Sequence, residues 1–159
     1  MKKINVSLQN NSYDVLIGEN IFGKILSVWG VIGAFALWFW MLSAFDAGDM
    51  KIVTMKLNLS EKSKSFDSVK KIYDILLKKG FGRDSLIVAV GGGIIGDVAG
   101  FAAATFMRGI QLVHIPTTLL AAVDSSIGGK TGVNYFDSKN IVGAFYQPKL
   151  VLVDTNMLF

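Results

Sequence analysis

The spacing of hydrophobic and polar positions changes several times along this chain, and each change marks an element. Lys3–Leu8 alternates, with Ile4, Val6 and Leu8 on one face. Gln9-Asn10-Asn11-Ser12 is a turn cluster, and Tyr13–Ile17 is a second apolar run; together they predict an N-terminal β-hairpin. Glu19–Leu26 has the pattern of a short helix, and Lys51–Leu57 alternates weakly, as a strand would. In Ser65–Lys79 the residues Phe66, Val69, Ile72, Tyr73, Leu76 and Leu77 recur at helical spacing with lysines opposite, and Gly80 and Gly82 end the pattern. Leu86–Val90 is a continuous apolar run of the kind found in strands buried on both faces. After Gly91-Gly92-Gly93, the small apolar residues from Val98 to Ala104 favour a helix lying close on a sheet. Gln111–Ile115 and Leu150–Val153 complete the strands. The alternation predicts an α/β fold: a Rossmann-like, mainly parallel sheet with flanking helices and an N-terminal hairpin, forming one domain over 1–159.

One stretch interrupts this order. Val28–Phe45 (VWGVIGAFALWFWMLSAF) has no charged residue, and it contains all three tryptophans, Trp29, Trp38 and Trp40. By length and apolarity it is a short transmembrane-helix candidate. A buried core segment reads the same way.

Composition narrows the function classes. The chain of 159 residues is 52% hydrophobic and carries 17 glycines, in keeping with many strand–helix turns. Its net charge of +4 comes without a dense Lys/Arg cluster, so nucleic acid is not an expected partner. The absence of cysteine excludes disulfides and thiolate metal sites and points to the cytoplasm. The N-terminal lysines are not followed by an apolar signal core.

The stretch Leu86–Thr105 (LIVAVGGGIIGDVAGFAAAT) carries the first candidate chemistry. A strand, a glycine turn and a helix N-terminus present free N–H groups and the positive end of a helix dipole to an anion, as a phosphate or diphosphate requires. The Lys-Ser/Thr ending of a nucleoside-triphosphate loop is missing. Gly91, Gly93 and Gly96 can be read as G-x-G-x-x-G, but the match alone does not separate a dinucleotide site from a tight turn. Pro116-Thr117-Thr118 falls at the carboxyl edge of a strand, where open α/β sheets bind ligands, and Asp124–Gly132 is a second polar, glycine-rich loop. Ser125 and Ser126 have no triad partner, and the single histidine, His114, lies inside a strand; the serines read as loop-shaping residues and the histidine as a strand residue.

Several motifs in fixed order are more specific than one glycine loop. GGGIIGDVAGFAAATFMRG (Gly91–Gly109), IPTTLLAAVDSSIGGKTGVN (Ile115–Asn134) and KNIVGAFYQPKLVLVDT (Lys139–Thr155) resemble the sugar phosphate cyclases, in particular the 3-dehydroquinate synthases; SEKSK (Ser60–Lys64) is a weaker match. The resemblance implies an NAD-dependent lyase of the shikimate route to aromatic amino acids. Such an enzyme converts 3-deoxy-D-arabino-heptulosonate 7-phosphate to 3-dehydroquinate and phosphate through transient oxidation, β-elimination and aldol cyclisation. It also implies a divalent metal, zinc or cobalt, and a homodimer. Carried onto this sequence, Gly92, Gly93, Ile94, Ile95, Gly96 and Asp97 would cradle the cofactor diphosphate and a ribose, with Thr117 and Thr118 beside them. Glu61 and Lys64 match contacts to the nucleoside, while Lys130 and Lys139 supply cations where substrate meets cofactor. Asp124 and Asn140 would hold substrate hydroxyls, and Arg108 suits a bidentate phosphate contact in a neighbouring subunit's site. Simpler roles compete: Asp97 as a helix cap, Lys139 as a solvated lysine, Arg108 as a neutraliser of its helix end.

Two departures from the family pattern bear on activity. The family's metal ligands, a glutamate and two histidines, belong to a helical C-terminal domain for which this chain has no counterpart, so no metal-ligating residue is assigned here. Between the hairpin and Ser60–Lys64 the family has a strand with an acidic end followed by a helix. Here Val28–Met50 occupies that interval, and out-of-frame sequence joins anchor and buried core as a reading of it. The family's solubility weighs against a membrane partner. The expected chain is thus a fragment inactive by itself, with another sugar phosphate cyclase or a non-catalytic NAD-binding remnant as the alternatives.

Overall fold

The computed structural model describes residues 1–9, 11–21 and 51–158. Val28–Met50, with its three readings, and most of the helix expected over Glu19–Leu26 lie outside these residues.

The alternating N-terminal pattern forms the expected hairpin, β1 (Lys2–Val6) antiparallel to β2 (Tyr13–Gly18). The periodic lysine-backed segment forms α1 (Phe66–Lys78), which buries Val69, Ile72 and Leu76 and ends at Gly80 with φ +67. That left-handed conformation is one that glycine adopts without strain. Then come β3 (Leu86–Gly91), α2 (Gly93–Thr105) and β4 (Gln111–Pro116), a strand–helix–strand unit whose two strands are parallel. β5 (Lys130–Tyr135) and β6 (Ser138–Phe145) follow, and β7 (Leu150–Asp154) ends the series. Among the described residues the main sheet runs β1-β2-β7-β4-β3, parallel except for β1.

β4 and β7 lie in the middle of that sheet and are almost wholly apolar and buried; Leu112, Val151 and Leu152 are at most 1% exposed. Burying a Leu or Val side chain contributes about 1.5–3 kcal/mol, so these strands hold the two halves of the sheet together. The small residues of α2 let it approach closely. A Cβ built on Gly100 would stand 2.5 Å from Thr131 Cγ2, and Ala102 and Ala103 are fully buried.

Three sequence expectations need correction. Lys51–Leu57 is not a strand among the described residues: its alternation is real, and Met55 and Leu57 pack on the α1–α2 core, but none of the described residues is its ladder partner. β3 is not buried on both faces. It is the edge strand among the described residues, and Val90 is 46% exposed, because a continuous apolar run cannot distinguish an edge from a centre. Finally, the glycine-rich loop after Asp124 ends earlier than its composition suggests. Lys130–Gly132 already belongs to β5, which pairs with β6 in a separate antiparallel hairpin. Gly132 and Gly143 face each other there so closely that a Cβ on Gly143 would lie 2.0 Å from the Thr131 carbonyl oxygen.

Candidate functional site

The carboxyl ends of β3 and β4 carry the glycine turn and Pro116-Thr117-Thr118 side by side. Gly91 pairs with Pro116, and Thr117 N donates to Gly91 O at 3.0 Å. Gly91 has φ +157, and Gly92 is the N-cap of α2 with no side-chain cap bond, so the opening amides of α2 are left for another acceptor. The turn is tight at two of its three glycines: a Cβ on Gly91 would meet Ile95 at 2.8 Å and one on Gly93 would meet Ser125 Oγ at 2.9 Å, whereas one on Gly92 would make an ordinary contact with Thr118 at 3.4 Å. Thr118 Oγ1 accepts from Ala121 N at 3.2 Å, which starts the π-helical turn Ala121–Ser125. Ser126 Oγ donates to Ala121 O at 2.7 Å and closes that turn, in keeping with a loop-shaping role.

Beneath the turn is a small pocket lined by Gly91, Gly92, Gly96, His114, Ser125 and Ser126. His114 is the strand residue expected. Burial lowers its pKa to about 4, which keeps the imidazole neutral at physiological pH. Ile94, Ile95 and Gly96 form the first turns of α2, with Gly96 N donating to Gly92 O at 3.2 Å.

A second group of polar residues converges on Asp97, one helical turn into α2. Lys64 is 3% exposed, and its ammonium donates to both Asp97 Oδ2 and Asn140 Oδ1. Asp97 is therefore not a helix cap. Burial pushes its carboxyl above the ordinary value and Lys64 opposes the shift, so desolvation and ion pairing pull in opposite directions. Glu61 lies in a single 3₁₀ turn, Glu61–Ser63, which is fastened when Ser60 N donates to Ser63 Oγ at 2.7 Å. Its pKa is lowered, chiefly by the amide of Asn134, which donates to Glu61 Oε1 at 2.9 Å, and further by Lys139 and Lys64.

Lys130 and Asp124 form an exposed pair at 2.7 Å, and the carboxylate raises the lysine pKa. Asp97 and Lys130 also feel each other's charge. Of the residues expected from sequence, the fold thus brings Glu61, Lys64, Asp97, Asp124, Lys130, Lys139 and Asn140 into one charged neighbourhood beside the glycine turn. Arg108 is elsewhere. It follows the far end of α2, about 20 Å from the turn at 1.5 Å per residue, in an exposed bend where Met107 and Arg108 take φ +50 and +67. Asn134 was missed by the sequence reading, although it ends one of the quoted motifs. A neutral amide at a strand end carries no signal until its partners are known.

Residues 54–159 match the family model described as 3-dehydroquinate synthase N-terminal. The chain belongs to that family. It is 46% identical over 163 residues to the 3-dehydroquinate synthase of Pelagibacter ubique, covering 99% of this chain and 40% of that protein. The 3-dehydroquinate synthase of Methylococcus capsulatus is 42% identical over 170 residues, covering 99% of this chain and 47% of the relative. The chain thus spans less than half the length of these relatives. Among solved structures, 2-deoxy-scyllo-inosose synthase in complex with carbaglucose-6-phosphate, NAD+ and Co2+ superposes with a TM-score of 0.83 at 29% identity, over 99% of this chain and 47% of that one. The 2-epi-5-epi-valiolone synthase of Streptomyces hygroscopicus, with NAD+ and Zn2+ bound, does so with 0.74 at 26%, over 96% and 45%. The expected Rossmann-like, mainly parallel sheet is the fold these family neighbours share. The described residues include no group of three His, Cys, Asp or Glu able to hold a metal, and no helix long and apolar enough to cross a membrane.

Proposed function

We propose that this chain is the NAD-binding portion of a 3-dehydroquinate synthase, a cytoplasmic lyase that converts 3-deoxy-D-arabino-heptulosonate 7-phosphate to 3-dehydroquinate and phosphate. The observation that carries the reading is the uncapped N-terminus of α2 behind a turn with no room for a Cβ at Gly91 or Gly93, on a fold that superposes on NAD+-bound cyclases. NAD+, when bound, would accept a hydride from the carbon that bears a substrate hydroxyl, whose O–H proton leaves separately, and would return the hydride after phosphate has left. The chain's own residues bind and orient. Amides from Gly93 to Ile95 hold the diphosphate, Asp97 accepts from a ribose hydroxyl, and Thr117 and Thr118 flank the nicotinamide side. Glu61 and Lys64 sit toward the nucleoside. Lys130 and Lys139 offer donors to substrate phosphate and carboxylate, and Asp124 and Asn140 hold its hydroxyls. The residues present do not fit the divalent metal, since the only histidine is buried in β4. The metal ligands are assigned to the part of the relatives beyond this chain. Arg108, remote from the turn, is assigned to the site of a second copy in a homodimer.

A neighbouring sugar phosphate cyclase is the second reading, favoured by the superposition on 2-deoxy-scyllo-inosose synthase. Identity of 46% to a named 3-dehydroquinate synthase against 29% to that enzyme supports the first. NAD+ titrated into the protein and followed by amide NMR is expected to shift Glu61–Lys64, Gly91–Asp97 and Thr117–Thr118. No shift at millimolar NAD+ would overturn the cofactor assignment. Phosphate release from the heptulosonate phosphate, with NAD+ and Zn2+ supplied, is expected to be undetectable from this chain alone. Turnover would show that the metal has been assigned to the wrong half.

A further inference from the structure

Asn134 joins two segments that the reading above places on different ligands. Its side-chain amide donates to Glu61 O at 3.0 Å and to Glu61 Oε1 at 2.9 Å, while its Oδ1 accepts from the backbone N of Asn140 at 2.9 Å. Its own backbone N donates to Lys64 O at 2.8 Å. Lys64 in turn reaches Asn140 Oδ1 and Asp97, so the contacts close into a ring: Glu61, Asn134, Asn140, Lys64 and back through the 3₁₀ turn.

The backbone explains why Asn134 can do this. The β5–β6 register slips between Val133 and Tyr135, leaving Asn134 without a cross-strand partner. Such a bulge re-aims a side chain that regular pairing would fix. Asn140, on the opposite strand, has φ +52, a left-handed conformation that asparagine tolerates better than most residues. Its amide therefore points at Asn134 while its side chain points at Lys64. Asparagine suits the position because it presents a donor and an acceptor at once. Aspartate would set a carboxylate against Glu61, and leucine would strand three polar groups.

We propose that Asn134 is a positioning residue that locks the Glu61–Lys64 turn and the Lys139–Asn140 strand start into one unit, so that cofactor and substrate contacts are set together. The inference rests on the reading of Glu61 and Lys64 as cofactor contacts. Glu61 faces Lys64 of its own turn, Lys139 of β6 and Asn134 of β5, and Asp97 of α2 lies beyond Lys64.

Two measurements on the whole chain test it. In the first, the Glu61 side chain is titrated by carbon NMR in wild type and in Asn134→Ala. The midpoint is expected to rise in the variant, and the Asn140 amide to shift and lose protection from exchange. In the second, NAD+ affinity is placed in a double-mutant cycle. Asn134→Ala is expected to weaken binding roughly tenfold, as for loss of a hydrogen bond to a charged group, but less than about twofold in a Glu61→Gln background. An unmoved Glu61 midpoint, or the same loss in both backgrounds, overturns the proposal. If the alanine variant does not fold, Asn134→Ser, which keeps a short donor and acceptor, supplies the same readings. Unfolding of both variants would make Asn134 a residue of the fold and overturn its role in the site. A wild-type chain that ignores NAD+ would sink the cofactor reading instead, and the Glu61 midpoint and Asn140 amide would still decide whether Asn134 locks the two segments.

Discussion

The glycine turn opens α2 and the Lys64 ring meets the same helix a turn further in, at Asp97, yet they are built in opposite ways. The turn is made of backbone. Gly91, Gly92 and Gly93 lead from a strand into a helix, and Ile95 and Ser125 leave no room for a Cβ on Gly91 or Gly93. The ring is made mostly of side chains, from the Glu61–Lys64 turn, β5 and β6, with Asp97 of α2 joined to it through Lys64; of these segments only β5 and β6 are consecutive in the chain. A backbone site is fixed as soon as its two elements form. A side-chain ring exists only after four segments have docked, and each member depends on the others for its charge or hydrogen bonds.

This contrast can be tested from its largest expected effect downward. His114 supports the turn from beneath, and its folded pKa of about 4 lies below the ordinary 6.5. The unfolded chain therefore binds the extra proton first, so this contribution to stability is present above pH 6.5 and is lost as pH falls toward 4. Urea denaturation of wild type against His114→Gln should show about 3 kcal/mol more acid sensitivity in wild type across that window. Equal slopes would mean that the imidazole is not held neutral by the fold.

Lys64→Met comes next. It leaves Asp97 desolvated without its cation, at a cost of about 2 kcal/mol near neutral pH, discounted from the 3–5 of a fully buried pair because the Asp97 side chain is 20% exposed. Because the pKa of Asp97 is already raised by burial, acid should protonate it and restore part of the loss. A penalty that does not vary with pH would show that Lys64 matters for packing rather than charge. The smallest effect is expected at the turn itself. Gly93→Ala pushes a Cβ to 2.9 Å from Ser125 Oγ and should cost about 1 kcal/mol, with Ser125→Ala giving part of it back. Full additivity of the two changes in thermal melts would break the claim that they touch.

The same contrast explains how much the sequence reveals. The hairpin, α1, the β3–α2–β4 unit and β7 follow from local spacing, because each buries one face or both against a neighbour. The glycine turn follows from three consecutive residues. By contrast, Lys51–Leu57 has the alternation of a strand but no ladder partner among the described residues, and the β5–β6 hairpin hides in a glycine-rich stretch whose composition reads as loop. Motif resemblance located Glu61, Lys64, Asp97 and Asn140 individually, but not that Lys64 is buried and engaged by two of them. Asn134 was invisible for the same reason: its role comes from a bulge and from Glu61, 73 positions away.

The pairing of β2 with β7 has a consequence for how the molecule is made. Val15 and Leu16 lie against Val151 and Leu152, and Ile21 N donates to Asp154 Oδ2 across 133 positions. Among the described residues the hairpin thus has no parallel neighbour until β7 has been made, 133 positions later by the Ile21–Asp154 contact, a wait on the order of ten seconds at the usual pace of elongation. Local units such as β3–α2–β4 can form meanwhile, but closing the sheet is a long-range and therefore slow event. Until then both faces of β2, Tyr13 and Val15 on one and Leu16 on the other, are sticky surfaces for chaperones or for other nascent chains, and a truncation before Leu150 would leave them so permanently.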